Sequence, residues 1–137
     1  MLQFYFLSIL TNAAAGALLS ADYFGRRLER LAWLSAHPAP RRLKLICGAA
    51  ALLVGVCTIF WPAGSGGVPV IGDLVPSIAG LAMGVALLFE VFRQDALFPS
   101  EPASAAPRAG LDWRSMIGIA GLAVAILHFF LPERPFL

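Results

Sequence analysis

The sequence has little charge and few of the residues that build catalytic or metal sites. Only 13% of its 137 residues are charged and 59% are hydrophobic, whereas soluble domains are about 25% charged. It has two histidines and two cysteines, and no phosphate-binding loop, nucleophile elbow or HExxH motif. A chain of this length cannot bury so much apolar surface in one globular core. The composition therefore predicts an integral membrane protein, and we expect no enzymatic activity, no cofactor and no metal.

Four apolar stretches are long enough, or nearly so, to cross a bilayer as helices. A span needs about 20 mostly apolar residues, and lipid requires every backbone group to be paired, as in a helix. The alternating pattern of a membrane barrel strand is absent. The expected spans are residues 2–21, 45–61, 74–92 and 116–131. We therefore expect an all-α protein with four transmembrane helices in one membrane domain, residues 1–137.

The connection after the first stretch is rich in basic residues. Its bases are Arg26, Arg27, Arg30, Arg41, Arg42 and Lys44. Leucines at helical spacing within it predict a short helix in the membrane interface. Since Lys and Arg favour the cytoplasmic side, we expect a bacterial cytoplasmic membrane protein with both termini outside. The same six bases are candidates to bind lipid head groups.

The two halves of the sequence resemble each other. Aligning Pro62 with Pro132, a shift of 70 residues, gives six identities in fifteen positions. A shift of 68 residues pairs Asp22 with Glu90. The similar shifts predict an internal duplication of two helical hairpins, about residues 1–62 and 70–132. Parallel repeats of this kind occur in transporters, although duplication alone does not imply transport.

Small and polar residues share one face of several apolar stretches. Ser8, Asn12, Gly16 and Ser20 are spaced four apart, and residues 80–84 form a GxxxG motif, a pattern that lets helices approach closely. The expected helix-packing positions are Ser8, Asn12, Gly16, Ser20, Gly48, Gly80, Gly84, Gly118 and Gly121. The pattern leaves open whether these faces join helices of one chain or of two, and whether Asn12 lines a path for a polar solute.

Two acids lie at the ends of apolar stretches. An ionisable group inside a membrane is a functional candidate, but both acids lie near the expected cytoplasmic interface. We expect Glu90 to pair with Arg93 or with a base of residues 22–44, and Asp22 with Arg26. Asp73 is expected to cap the third helix.

These observations favour a non-enzymatic accessory subunit that packs through its small-residue helix faces in a homo-oligomer or a larger membrane complex. The expected partners are membrane lipids and either copies of the chain or other membrane subunits, not nucleic acid. The alternative is a small oligomeric transporter or channel, which the duplication and Asn12 favour. A lipid-modifying enzyme that uses Asp22 and Glu90 is a third possibility with less support.

Overall fold

The computed structural model describes residues 2–60, 74–95 and 112–130. Its helices are α1 (Leu2–Arg27), α2 (Ala32–Ala36), α3 (Arg41–Phe60), α4 (Leu74–Asp95) and α5 (Trp113–Phe130). A 3₁₀ turn, Glu29–Leu31, precedes α2. The all-α expectation is confirmed for this part of the chain. The Gly-rich turn at 62–73, its expected cap Asp73 and most of the 93–114 connection lie outside the described residues.

The expectation of four transmembrane helices is wrong. Within the described residues, three helices are long and apolar enough to cross a membrane: Arg41–Phe60, Leu74–Arg93 and Trp113–Phe130. Helix α1 has 26 residues and therefore sufficient length. It is not among the three, and it is the least apolar of the four long helices, with Asn12 in its middle and Asp22, Arg26 and Arg27 in its last turns.

The expected pair of consecutive hairpins is not the main packing unit either. The most extensive helix contacts are between α3 and α4 and between α1 and α5. Helix α5 runs antiparallel to α1. Tyr5, near the start of α1, donates a hydrogen bond to the backbone carbonyl of His128, near the end of α5. Gly16, further along α1, packs on Gly118, near the start of α5. Each half of the sequence therefore packs mainly on the other half.

The segment after α1 contains a 3₁₀ turn and the short helix α2, so a short helix does follow the first apolar stretch, and its place in a membrane interface stays a prediction. Helix α1 continues to Arg27, and the chain then makes the 3₁₀ turn and the five-residue α2. Gly25 allows this segment to fold back, since a Cβ atom there would lie 2.7 Å from the backbone nitrogen of Ser35. Leu31 and Leu34 are half-buried, while Leu28 and Trp33 are exposed.

The two ends of the bundle differ in charge. All Asp, Glu, Lys and Arg side chains that the structure describes lie at the end where α1 and α4 finish and α3 and α5 begin. We call this the charged end. In its described part, the opposite end carries Tyr5, Thr58, Ser77 and His128 but no Asp, Glu, Lys or Arg.

Candidate functional site

Glycines bring the helix backbones into direct contact. A Cβ atom on Gly16 would lie 2.8 Å from the carbonyl oxygen of Gly118, and one on Gly118 would lie 2.9 Å from the carbonyl oxygen of Gly16. Gly121, one turn further along α5, makes room for the side chain of Met83. All nine expected packing positions, including Ser8, are buried. The contacts made by the glycines join helices within one chain.

The two glycine contacts have the same pattern. A Cβ atom on Gly84 would meet the Gly48 carbonyl oxygen and Leu52 Cγ, both at 2.8 Å. On Gly16 it would meet the Gly118 carbonyl oxygen at 2.8 Å and the Cγ of Leu122 at 3.1 Å. The shifts of 68 and 70 residues relate these positions to one another. The duplication itself stays a prediction.

Asn12 lies where α1 crosses α4. Its side-chain amide donates a 2.9 Å hydrogen bond to the backbone carbonyl of Pro76. Its side-chain oxygen lies 2.8 Å from the position that a Cβ atom on Gly80 would occupy. The glycine therefore makes room for the amide, and the amide is fixed by a partner inside the bundle.

Other polar groups in the interior are also hydrogen-bonded. The hydroxyl groups of Thr58 on α3 and Ser77 on α4 lie 2.7 Å apart, and Thr58 also donates to the carbonyl of Val54 or Gly55. The Ser20 hydroxyl donates to the Gly16 carbonyl at 2.6 Å. Buried polar groups need such partners, because water does not reach them in lipid.

Glu90 forms an ion cluster with bases from two other helices. Lys44 at the start of α3 donates to one carboxylate oxygen at 2.7 Å, and Arg114 at the start of α5 donates to the other. The side chains of Glu90 and Lys44 are each 13% exposed and that of Arg114 is 29% exposed. One carboxylate on α4 therefore holds α3 and α5 together at the charged end.

The remaining charged candidates lie on the surface. Asp22, Arg26 and Arg93 are exposed. The expected pairing of Glu90 with a base of residues 22–44 is confirmed by Lys44, whereas the second ion pair of Glu90 is with Arg114 rather than with Arg93. Of the six lipid-binding candidates, Lys44 is thus engaged inside the charged end. The five arginines are exposed, and the Arg27 guanidinium lies 5.5 Å from the centre of the Tyr23 ring.

Asp112 caps α5 at the charged end. Its carboxylate accepts a 3.0 Å hydrogen bond from the backbone N–H of Ser115, the geometry of an N-cap. Partial burial raises the pKa of Asp112, but hydrogen bonds from Ser115 and the charges of Arg114 and Arg26 outweigh that effect and lower the pKa below its usual value. Asp112 is therefore a carboxylate at neutral pH.

The described residues offer no site for a metal ion. No group of three or more His, Cys, Asp or Glu side chains converges within them. His37 is exposed just after α2 at the charged end, and His128 is buried on α5 at the opposite end.

Sequence reasoning missed Arg114 and Asp112 and the Thr58–Ser77 contact. Asp112 precedes an apolar run, which is a capping signal that the sequence does contain. Arg114 is related to Lys44 by the shift of 70 residues, so the repeat could have added Arg114 to the expected bases of residues 22–44 as a partner of Glu90. No sequence signal pairs Thr58 with Ser77.

Within the part of the chain that the structure describes, these features define a helical protein with hydrogen-bonded polar groups in its interior, a charged end and three helices long and apolar enough to cross a membrane. A protein-family model matches residues 1–128. The chain is 33% identical over 141 residues to an uncharacterized protein of Treponema pallidum (strain Nichols), with all of both chains covered. The chain therefore belongs to the same family as the Treponema protein. No solved structure matches it.

Proposed function

We propose that the protein is a non-enzymatic integral membrane protein that acts as an accessory subunit in a homo-oligomer or a larger membrane complex. The observation that supports it is the outer surface, where large apolar side chains of α3, α4 and α5 are exposed. The small-residue and polar faces are occupied by contacts within the chain, as at Gly16–Gly118 and Asn12–Pro76. Subunit contacts therefore belong on the exposed apolar faces and not, as the sequence suggested, on the small-residue faces.

The contacts made by the acidic side chains support a non-enzymatic role. A general acid or base must be within hydrogen-bond reach of its substrate. Glu90 is instead held by Lys44 and Arg114, and Asp112 holds the first turn of α5. Asp22 is exposed at the end of α1. Glu90 therefore contributes to helix packing and Asp112 to helix capping, and Asp22 lies on the surface.

We propose further that the protein resides in the bacterial cytoplasmic membrane with the charged end inside. The support is the placement of its bases, because Lys and Arg flank membrane helices on the cytoplasmic side. Helix α1 begins, and α5 ends, at the opposite end. In this orientation both termini face outward.

Site-specific photo-crosslinking in native membranes tests the accessory role. The crosslinking residue replaces one exposed side chain on each of α3, α4 and α5: Leu53, Val85 and Ile126. A subunit of a complex gives a discrete protein adduct from at least one of these positions. The same variants in liposomes of the purified protein form the control, because an adduct that persists there joins two copies. Crosslinks to lipid alone from all three positions would contradict the proposal.

A small transporter or channel is the second candidate, favoured by the polar groups in the uncharged half of the bundle. Asn12 binds Pro76, and the next residue, Ser77, contacts Thr58. A solute path would run along these groups. Solute flux into liposomes that is abolished by Asn12→Leu but retained in Ala17→Leu, an exposed position on the same helix, would support transport. No flux with the wild-type protein would exclude it for the solutes tested.

A further inference from the structure

The ion cluster engages two bases of the charged end, Lys44 and Arg114, with Glu90. Five other bases are exposed, and we call them the basic surface: Arg26, Arg27, Arg30, Arg42 and Arg93. Asp22 and Glu29 are the exposed acids at this end whose side chains are described. Among the side chains that the structure describes, the exposed part of the charged end therefore carries more positive than negative charges.

Exposed apolar side chains lie in the same segment as part of this basic surface. Trp33 is 59% exposed and Leu28 is 48% exposed. The segment that carries them is held against the end of α1 by the close contact of Gly25 with Ser35. Apolar and aromatic side chains beside arginines are typical of a segment that lies in the membrane interface. The segment is thus positioned where the candidate spans leave the hydrocarbon.

We propose that the basic surface binds the head groups of anionic phospholipids in the leaflet around the charged end. The charges are complementary, and guanidinium groups donate paired hydrogen bonds to phosphate oxygens. Of the bases expected from sequence, Lys44 is left out because Glu90 engages it, and Arg41 is left out because it has a partner of its own. Arg93 is added because it is exposed. The proposal is independent of the accessory-subunit role, since it concerns only this surface and the lipid beside it.

Lipid selectivity at Trp33 tests the proposal. Trp61 and Trp113 are replaced by Phe, so that Trp33 is the fluorescent reporter. The protein is reconstituted in brominated phosphatidylcholine, which quenches tryptophan, with increasing fractions of unbrominated phosphatidylglycerol. Preferential binding of phosphatidylglycerol restores the fluorescence beyond its mole fraction in the bilayer. Raising the salt concentration should weaken this preference, because exposed charges are screened.

Three variants make the test specific. Each base near a membrane surface contributes about a five-fold preference for anionic lipid, so Arg27→Gln/Arg30→Gln should lower the selectivity by more than ten-fold or abolish it. Arg27→Lys/Arg30→Lys should retain most of it. Glu29→Gln, which removes a neighbouring acid, should raise it. All these side chains are exposed, and circular dichroism checks that the variants remain folded.

Two results would overturn the proposal. One is equal affinity of the wild-type protein for the two lipids. The other is a preference that survives the removal of both arginine charges. If those same variants instead lose a co-purifying membrane protein while the lipid preference is unchanged, the surface binds an acidic partner protein and the lipid assignment is wrong.

Discussion

A Cβ atom on Gly84 would lie 2.8 Å from the carbonyl oxygen of Gly48, so α3 and α4 contact each other backbone to backbone. Gly16 and Gly118 make the same contact between α1 and α5. Small residues allow this approach in membrane helices, where dispersion contacts between helices replace the hydrophobic effect. Each glycine contact joins a helix of the first half of the sequence to a helix of the second half. Neither half is therefore expected to be stable alone.

Gly84→Ala should destabilise the protein. Intrinsic helix propensity favours Ala over Gly by about 1 kcal/mol, so an uncrowded position would become more stable. At Gly84 the added methyl group meets Gly48 and Leu52, and overpacking of this kind costs about 1–3 kcal/mol. We expect the free energy of unfolding, measured by SDS titration in mild detergent, to fall.

The control for Gly84 is a change of similar size on the outer side of the same helix. Ala82 is exposed, so Ala82→Val adds volume without a close neighbour. We expect it to change stability by less than about 0.5 kcal/mol. If Gly84→Ala stabilised the protein, the close packing of α3 on α4 would be refuted.

Glu90→Gln should weaken the bundle at the charged end. The change leaves Lys44 and Arg114 without their carboxylate, and the loss of charged hydrogen bonds at a mostly buried site costs about 2 kcal/mol. Asp22→Asn is the matched control, since the repeat relates Asp22 to Glu90 but the Asp22 side chain is exposed. We expect a change of less than about 1 kcal/mol there. Equal effects in the two variants would show that the Glu90 cluster does not hold the helices.

Asp112 should make the free energy of unfolding depend on pH in the acidic range. Its pKa is lower in the folded protein than in the unfolded chain, so its contribution is fully present above the unfolded pKa of about 4 and is lost as pH falls through the folded value. Asp112→Asn should reduce this dependence, and Asp112→Ala should cost about 1 kcal/mol of capping at neutral pH. Unfolding measured between pH 7 and pH 3 tests both. If the free energies of unfolding of the wild-type protein and of Asp112→Asn changed in parallel with pH, the assignment of Asp112 as the cap with a lowered pKa would be contradicted.

Thr58 and Ser77 should be coupled energetically. Their hydroxyl groups lie 2.7 Å apart across α3 and α4, and hydrogen bonds between membrane helices average about 0.6 kcal/mol in double-mutant cycles. We expect Thr58→Val and Ser77→Ala to show a coupling of that size and sign. A cycle that is additive within error would show that the contact does not stabilise the pair.

Sequence patterns located most helix positions, because apolar stretches mark the residues that avoid water. They placed the start of α3 at residue 45, whereas the helix begins at Arg41. Hydropathy does not register polar helical turns, and the backbone N–H groups of Leu43 and Lys44 already bond to the Pro40 carbonyl. Hydropathy also led to α1 being counted with the other spans despite its polar residues.

The choice of helix neighbours could not be predicted in this way. Consecutive helices often pack together, which favoured α1 with α3 and α4 with α5. The glycine faces instead select α5 for α1 and α4 for α3. Lys44 reaches Glu90 because the start of α3 lies beside the end of α4, which agrees with the expected pairing of Glu90 with a base of residues 22–44. Spacing along α4 suggested Arg93 as the alternative, and Arg114 was not expected.

Disulfide formation between Thr58→Cys and Ser77→Cys tests most directly whether the small-residue and polar faces pack within one chain. The two hydroxyl oxygens are 2.7 Å apart, near the sulfur separation of about 2 Å in a disulfide. The native Cys47 and Cys57 are replaced by Ser, and a protease site is inserted in the 61–73 connection. After oxidation in the membrane and cleavage, we predict fragments that remain joined as one chain on a non-reducing gel. A disulfide-linked dimer, or two separate fragments, would contradict this account of the bundle.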